Sequence, residues 1–256
     1  MNRRLARRYS LDLVAHLVGR EFRIRYRRTF LGWLWALGYP LARLFVLSFL
    51  FTRVLPLGIP NYAVFAFTGI IAWAWFSSGV ASATTSAVDR RDLLFRPGLP
   101  RATVPVISVL TDALDYLAAL PVLCVFLLLG DGIPITAILL PAILGVQFLY
   151  ILGLGFALCA ANVYLRDVHL LVNVVMLFGF YLTPVFYDPR SVPDTYSFVL
   201  LLNPMAHLLT AYRDILIAGQ MPSLGPFLVL VVAGGAVFMA GYRIYRSASP
   251  TFVDEL

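Results

Sequence analysis

Apolar residues run almost unbroken over Leu31 to Val54, Tyr62 to about Ala87, Val104 to Leu129, Ile135 to Ala161, Val168 to Phe186 and Leu224 to Tyr242. About twenty such residues, wound as a helix, cross the ~30 Å hydrocarbon core of a bilayer, so each run is long enough to span. A further apolar stretch, Ser197 to Ala218, is interrupted by Asn203-Pro204, and neither piece crosses alone. Asn203 suits a helix N-cap and Pro204 a first turn, and Met205, Leu208, Leu209, Tyr212, Ile215 and Leu216 keep helical spacing as far as Gly219. The pattern predicts six transmembrane helices with short re-entrant helices dipping into the outer leaflet between spans five and six, where protein or water satisfies the broken backbone.

Orientation follows from the basic residues, because positively charged short loops stay on the cytoplasmic side. Nine arginines precede the first span; Arg90, Arg91, Arg96 and Arg101 follow the second, Arg166 the fourth, and Arg243 and Arg246 the sixth. The opposite loops carry only Arg190 and Arg213, while Arg43 and Arg53 lie within the first span. Both termini are therefore expected inside. Residues 1–30 read as a cytoplasmic basic arm, 31–246 as the six-span transmembrane domain and 247–256 as a cytoplasmic tail. Within the arm, Ser10 is a reasonable N-cap, and Leu11, Val14, Val18 and Phe22 form an apolar stripe with Arg20, Arg23 and Arg27 elsewhere, as in an amphipathic helix lying in the interface. The other reading of this arm is a solvated basic segment. The hydrophobic run after Arg28 is too long, and lacks the small-residue exit, for a cleaved signal.

Composition agrees with an all-α integral membrane protein. Of 256 residues, 61% are hydrophobic and 13% charged, and the formal charge is +7. The positive charge is all arginine, since the sequence has no lysine. A nucleotide-binding P-loop needs its lysine on the phosphates, so any ATP-driven work has to come from another subunit. The basic residues alternate with the spans rather than forming one face, which disfavours nucleic acid. Cys124 and Cys159 sit in apolar runs as small hydrophobes, and His16, His169 and His207 are scattered, so no metal site is expected.

Three intramembrane charges stand out. Arg43 in span one and Asp112 and Asp115 in span three lie at similar depths, about 12 to 18 Å at 1.5 Å per residue. Charges there are costly unless paired or hydrated, so Arg43 is expected beside an aspartate, either as a structural ion pair or on an aqueous path. Trp35, Tyr39 and Arg43 share one face of span one, and Phe178 and Tyr181 one face of span five, a combination suited to sugar rings and phosphates. Trp33 and Trp35 also read as interfacial anchors. Gly153, Ala157 and Ala161 form a small packing face in span four. The cytoplasmic stretch Asp89-Arg90-Arg91-Asp92-Leu93-Leu94-Phe95-Arg96 has a helix-sized amphipathic core stopped by Pro97-Gly98, and its Leu-Leu-Phe knob reads as a docking element or as a loop packed on its own membrane domain.

Arg25-Tyr26-Arg27-Arg28-Thr29-Phe30-Leu31-Gly32-Trp33-Leu34-Trp35, with Pro40 shortly after, resembles the start of span one in the permeases of type-2 ABC exporters that secrete bacterial polysaccharides. Asn162-Val163-Tyr164-Leu165-Arg166-Asp167-Val168, Leu182-Thr183-Pro184-Val185-Phe186-Tyr187 and Leu202-Asn203-Pro204-Met205 are similar to the second half of the same family, and together the matches run from residue 20 to 245. The resemblance implies a homodimer with two copies of a P-loop ATPase subunit, which carries the ATP and magnesium. The cargo it implies is a lipid-linked polysaccharide such as an O-antigen, galactan or teichoic-acid-type polymer, moved across the bacterial inner membrane. Carried over by position, Asp89 to Arg96 would couple to the ATPase and Leu11 to Ile24 would be a gate-like helix, with Arg25, Tyr26, Arg27 and Arg28 at the cytoplasmic gate. Trp35, Tyr39, Arg43, Phe178 and Tyr181 would line the substrate path.

Three rivals follow from the same residues. One is a small-molecule or lipid ABC exporter of the same fold. Another is an ion-coupled secondary transporter using Arg43, Asp112 and Asp115 as a relay, disfavoured by the absence of an internal repeat. The third is a membrane enzyme acting on lipid-linked phosphate, disfavoured because no acid/base pair or metal set clusters at one depth.

Overall fold

The structure, a computed structural model, describes residues 3–27, 30, 32–96 and 99–255, with side chains for all of these except 3–11, 253 and 254. It is all-helical, with 84% of residues in helices and no strand among those described. Helix α1 (Arg3–Arg25) precedes α2 (Trp35–Phe49), which a 3₁₀ turn leads into and a wider π turn over Leu50–Val54 extends. Next come α3 (Tyr62–Asp89), a single turn α4 (Arg91–Leu94), α5 (Thr103–Leu129), α6 (Leu140–Tyr164) and α7 (Val168–Leu182). The chain closes with α8 (Ser197–Leu202), α9 (Pro204–Arg213), α10 (Leu224–Ala248) and the short α11 (Phe252–Glu255).

Helices α2, α3, α5, α6 and α10, with their extensions, are long and apolar enough to cross a membrane. The expected fifth span is shorter than the sequence implied. Helix α7 has 15 residues, about 22 Å of helix against a ~30 Å hydrocarbon core. It stops because Thr183 precedes proline, whose ring disfavours the α region for its neighbour, and Thr183 is extended at φ −95° and ψ 138°. The apolar run continues to Phe186, but the helix does not. Helix α1 begins upstream of Ser10, so Ser10 lies inside the helix rather than capping it.

Most of α3 is buried, and α5, α6, α2 and α7 pack around it. Inside an apolar bundle every polar group needs a partner from the protein itself. Thr68, Thr84 and Thr111 satisfy their hydroxyls on the carbonyls four residues back, each at 2.8 Å. Gln147 donates to the Ala72 carbonyl at 2.9 Å and accepts from the Tyr212 hydroxyl at 2.8 Å, joining α3, α6 and α9.

Helix α10 lies against α6 at backbone distance. A Cβ placed on Gly241 would sit 1.9 Å from the Gly153 carbonyl oxygen, and one on Gly153 would sit 2.7 Å from the Val237 oxygen. Only two glycines allow this crossing, so the small face anticipated around Gly153 has its counterpart in α10. Tyr150 crosses the same interface to donate to the Leu230 carbonyl at 3.1 Å.

The break at Asn203-Pro204 has the expected form. Asn203 is extended, its side-chain oxygen accepts from the Met205 amide at 3.0 Å, and its amide nitrogen donates to the Thr183 hydroxyl at 2.8 Å. After a π turn over Asp214–Ala218, Gly219 ends the segment at φ +64°, a left-handed conformation glycine adopts without strain.

Candidate functional site

The polar residues expected inside the membrane converge, but with a different cation. Arg25, at the end of α1, lies 2.7 Å from Asp112 and 2.6 Å from Asp115. Tyr26 donates its hydroxyl to Asp115 at 2.7 Å, and Ser82 of α3 hydrogen-bonds to Asp112. The expected pairing of Arg43 with an aspartate is thus replaced by Arg25, which the resemblance had placed at the cytoplasmic gate rather than beside the intramembrane charges. Asp112 is only 2% exposed, and a buried carboxylate takes the nearest cation that brings several donors. Burial lowers the Arg25 pKa, and the two carboxylates more than reverse this, so that on balance it is raised. The Tyr26 phenol is raised by burial and then by the Asp115 carboxylate that its proton faces.

These bonds pin α1 to α5. Leu17 and Val18 of α1 are buried in the common core, and Phe22 packs edge-on against Tyr26 at 5.2 Å. Leu17 was not part of the expected stripe, and the side chain of Leu11 lies outside the described residues. Arg90, just after α3, adds a second tie: its Nε is 3.5 Å from Glu21 of α1, and its Nη1 donates to Ser108 of α5.

The segment after α3 departs from its sequence reading. The helix-sized element reduces to the single turn α4, and the apolar knob is not exposed as a unit. Leu93 and Leu94 are 8% and 2% exposed, packed into the bundle, because two leucines in water cost more than a turned loop that buries them. Arg91, Asp92, Phe95 and Arg96 remain at the surface. The stop at Pro97-Gly98 lies outside the described residues.

Arg43 has no carboxylate partner among the described residues. Its guanidinium instead lies 4.8 Å from the centre of the Phe180 ring and 5.6 Å from that of Tyr39. Two cavities meet at this point. The larger, about 670 Å³, opens between α2, α3 and α7 and is lined by Tyr39, Arg43, Trp73, Phe180, Tyr181 and Phe186 among others. The smaller, about 250 Å³, is bordered by Tyr26, Trp35, Tyr39, Arg43, Asp112 and Asp115. Trp35, Tyr39 and Arg43 thus share a face as their spacing implied. Tyr181 lines the larger cavity with Tyr39 and Arg43, whereas Phe178, 61% exposed, is not among its lining residues. Phe180, Trp73 and Asn173 were not anticipated, although Asn173, polar within an otherwise largely apolar helix, was a sequence signal for the face of α7 that lines the cavity. Of the expected cytoplasmic gate, Arg25 and Tyr26 are tied down, Arg27 is exposed, and Arg28 lies outside the described residues.

Arg213, expected in an outer loop, is buried at 8% exposure. Its guanidinium lies 3.5 Å from the centre of the Phe65 ring, and Nη2 donates to the Val185 carbonyl at 2.9 Å. This joins α9 to the break that follows α7, where the Val185 carbonyl comes within 2.5 Å of a Cβ placed on Gly69.

A bundle of membrane-length helices around an aromatic, arginine-bearing cavity is a multi-pass membrane permease. The chain belongs to the ABC-2 type transporter family, whose sequence profile matches residues 12–217. It is 32% identical over 247 residues to the O-antigen export system permease protein RfbA of Myxococcus xanthus, covering 95% of both chains. It is 26% identical to a protein of the same name from Klebsiella pneumoniae, covering 97% of this chain and 96% of that one. To the polysialic acid transport protein KpsM of Escherichia coli it is 25% identical, over 89% of this chain and 90% of that one.

Proposed function

We propose that this chain is the permease subunit of an ATP-driven exporter that moves a lipid-linked polysaccharide across the bacterial cytoplasmic membrane. It works as a homodimer with two copies of a separate P-loop ATPase that binds ATP and magnesium. The observation that carries the reading is the cavity of about 670 Å³ between α2 and α7, where Tyr39, Trp73, Phe180, Tyr181 and Phe186 present ring faces and edges around one guanidinium. Aromatic faces pack on the apolar faces of sugar rings, and a cation attracts an anionic group carried with them. The printed names of the relatives, O-antigen and polysialic acid transport proteins, support the same class of cargo.

In this reading the topology has six spans with both termini inside. Helix α7, with Thr183 to Tyr187 continuing it, forms the fifth, and α8 and α9 re-enter from the outer face. Residues 1–30 are the cytoplasmic arm, 31–246 the permease domain and 247–256 the tail. The surface formed by Arg91, Asp92, Phe95 and Arg96 receives the ATPase. Arg90 carries its displacement to Glu21 and so to α1. Movement of α1 strains the bonds from Arg25 and Tyr26 to Asp112 and Asp115, which border the smaller cavity on the cytoplasmic side. Releasing them opens that cavity toward Arg43 and the aromatic wall beyond it, a two-state change of the kind that ATPase closure can bias.

The test has two parts. The tagged chain, expressed with its neighbouring ATPase subunit and purified in mild detergent, is expected to carry that ATPase in equal stoichiometry. In a strain lacking its own O-antigen permease, the same pair is expected to restore polymer at the cell surface. A folded dimer without an ATPase would turn the assignment toward an ion-coupled carrier.

A further inference from the structure

Arg43 is a permanent cation deep in a membrane-crossing helix, about 16 Å from its cytoplasmic end at 1.5 Å per residue. Such a charge is retained when it faces a cavity and meets an opposite charge there. Among the described residues no carboxylate lies within ion-pair distance of Arg43. Of the thirteen acidic residues, only Asp112 and Asp115 lie in the interior of a long apolar helix, and Arg25 holds both at 2.7 and 2.6 Å. A second copy of the chain brings the same two carboxylates, each with its own Arg25. Neither protomer therefore offers a free carboxylate at this depth, and the Tyr39 and Phe180 rings orient the guanidinium without neutralising it.

We propose that Arg43 binds the phosphate of a lipid-linked ligand, where the two cavities join. Both cavities include Tyr39, Arg43, Ser77 and Ser78 in their walls, so a group passing between them meets this arginine. The planar guanidinium offers paired donors to phosphate oxygens, and Asn173 of α7, on the wall of the larger cavity, adds an amide. Beside its aromatic rings, that wall carries the aliphatic side chains of Val46, Leu47, Leu50 and Leu177 and the thioether of Met176. An amphiphile with a small anionic head fits such a lining better than a soluble acidic sugar does. On the other side of Arg43, the smaller cavity has two carboxylates whose charge is only partly cancelled by Arg25. Those carboxylates repel an anion, so a phosphate settles on the larger-cavity side of Arg43.

The inference rests on the exporter reading only for the identity of what the lipid carries, and its test uses neither polymer nor ATP hydrolysis. The full chain with its ATPase partner is reconstituted in nanodiscs and titrated with polyprenyl phosphate, with polyprenol of the same length, and with a soluble carboxylated oligosaccharide. The native protein is expected to prefer the phosphate to the alcohol by roughly tenfold or more, as a charge-assisted bond allows, and to bind the oligosaccharide weakly. Arg43→Gln is expected to remove that preference, and Arg43→Lys to keep part of it. A footprint on the unaltered protein stands independently of how the variants fold: polyprenyl phosphate, and not polyprenol, should shield Arg43 from phenylglyoxal in peptide mass spectra. Equal binding of phosphate and alcohol, an undiminished preference in Arg43→Gln, or preferential binding of the oligosaccharide overturns the proposal. Retained phosphate binding in a protein that restores no surface polymer would instead overturn the exporter reading and leave the site standing.

Discussion

Arg25 at the end of α1 and Asp112 inside the bundle meet at 2.7 Å, and the carboxylate is almost wholly withdrawn from solvent while the guanidinium side chain is 32% exposed. The pair therefore works mainly by keeping a buried negative charge from standing alone. Removing the cation costs more than removing both charges together. Arg25→Gln is expected to destabilise the protein in detergent by about 1–3 kcal/mol, below the range for a fully buried pair because Arg25 is partly hydrated. In a thermal unfolding series, Arg25→Gln combined with Asp112→Asn should recover part of that loss. Strict additivity of the two single effects would show that the contact carries no coupling.

Arg91 and Phe95 project from the turn that follows α3, while Leu94 is tucked beneath it at 2% exposure. Surface and support should therefore separate on mutation. Arg91→Glu is expected to leave stability within about 0.5 kcal/mol and to lower export per ATP hydrolysed. Leu94→Ala is expected to cost about 2–4 kcal/mol by leaving a cavity. Arg90 is a poorer probe of docking than Arg91, because reversing it also breaks its contact with Glu21. Unchanged coupling of transport to ATP hydrolysis in Arg91→Glu would remove this surface from the ATPase contact.

Gly241 and Gly235 lie on the same helix and give a matched pair. A Cβ on Gly241 collides with the Gly153 carbonyl, whereas one on Gly235 meets nothing within 4 Å. Gly241→Ala should lower stability by about 1–3 kcal/mol or more through overpacking. Gly235→Ala should be neutral, or gain up to about 1 kcal/mol from reduced backbone freedom in the unfolded chain. Equal melting temperatures for the two variants would mean that α6 and α10 do not cross at Gly153.

Asn203 caps α9 and also reaches Thr183 at the end of α7. Asn203→Ala is expected to cost about 1 kcal/mol from the cap alone. Asn203→Asp keeps an acceptor for the Met205 amide but loses the amide donor to Thr183. If the cap accounts for most of the effect, Asn203→Asp will melt closer to the parent than Asn203→Ala.

Local chemistry made much of this architecture legible. The long apolar runs set the helices, and Asn203-Pro204 marked the break in the re-entrant segment because capping is decided by adjacent residues. Most of what escaped notice depended on partners remote in sequence. Arg25 was expected at the cytoplasmic gate but not as the partner of the aspartates, because nothing near it in the chain shows that Asp112 and Asp115 will face it. For Leu93 and Leu94 the sequence left docking and packing both open, because burial of a loop depends on the packed surface below. In α7 the polar Asn173 marked the face that lines the larger cavity, a local signal that was passed over in favour of Phe178 and Tyr181.

The contact between Gly153 and Gly241 bears on where the molecule can yield. Two helices that meet through backbone atoms have no cushion of rotameric side chains, so sliding or tilting one against the other means collision rather than repacking. Helices α6 and α10 thus behave as one plank, braced by Tyr150. Across the bundle, α2 and α7 face one another over open space with half-exposed aromatic rings between them. A force applied at the turn that follows α3 would find one wall rigid and the other compliant, and the compliant wall is the one that holds Arg43.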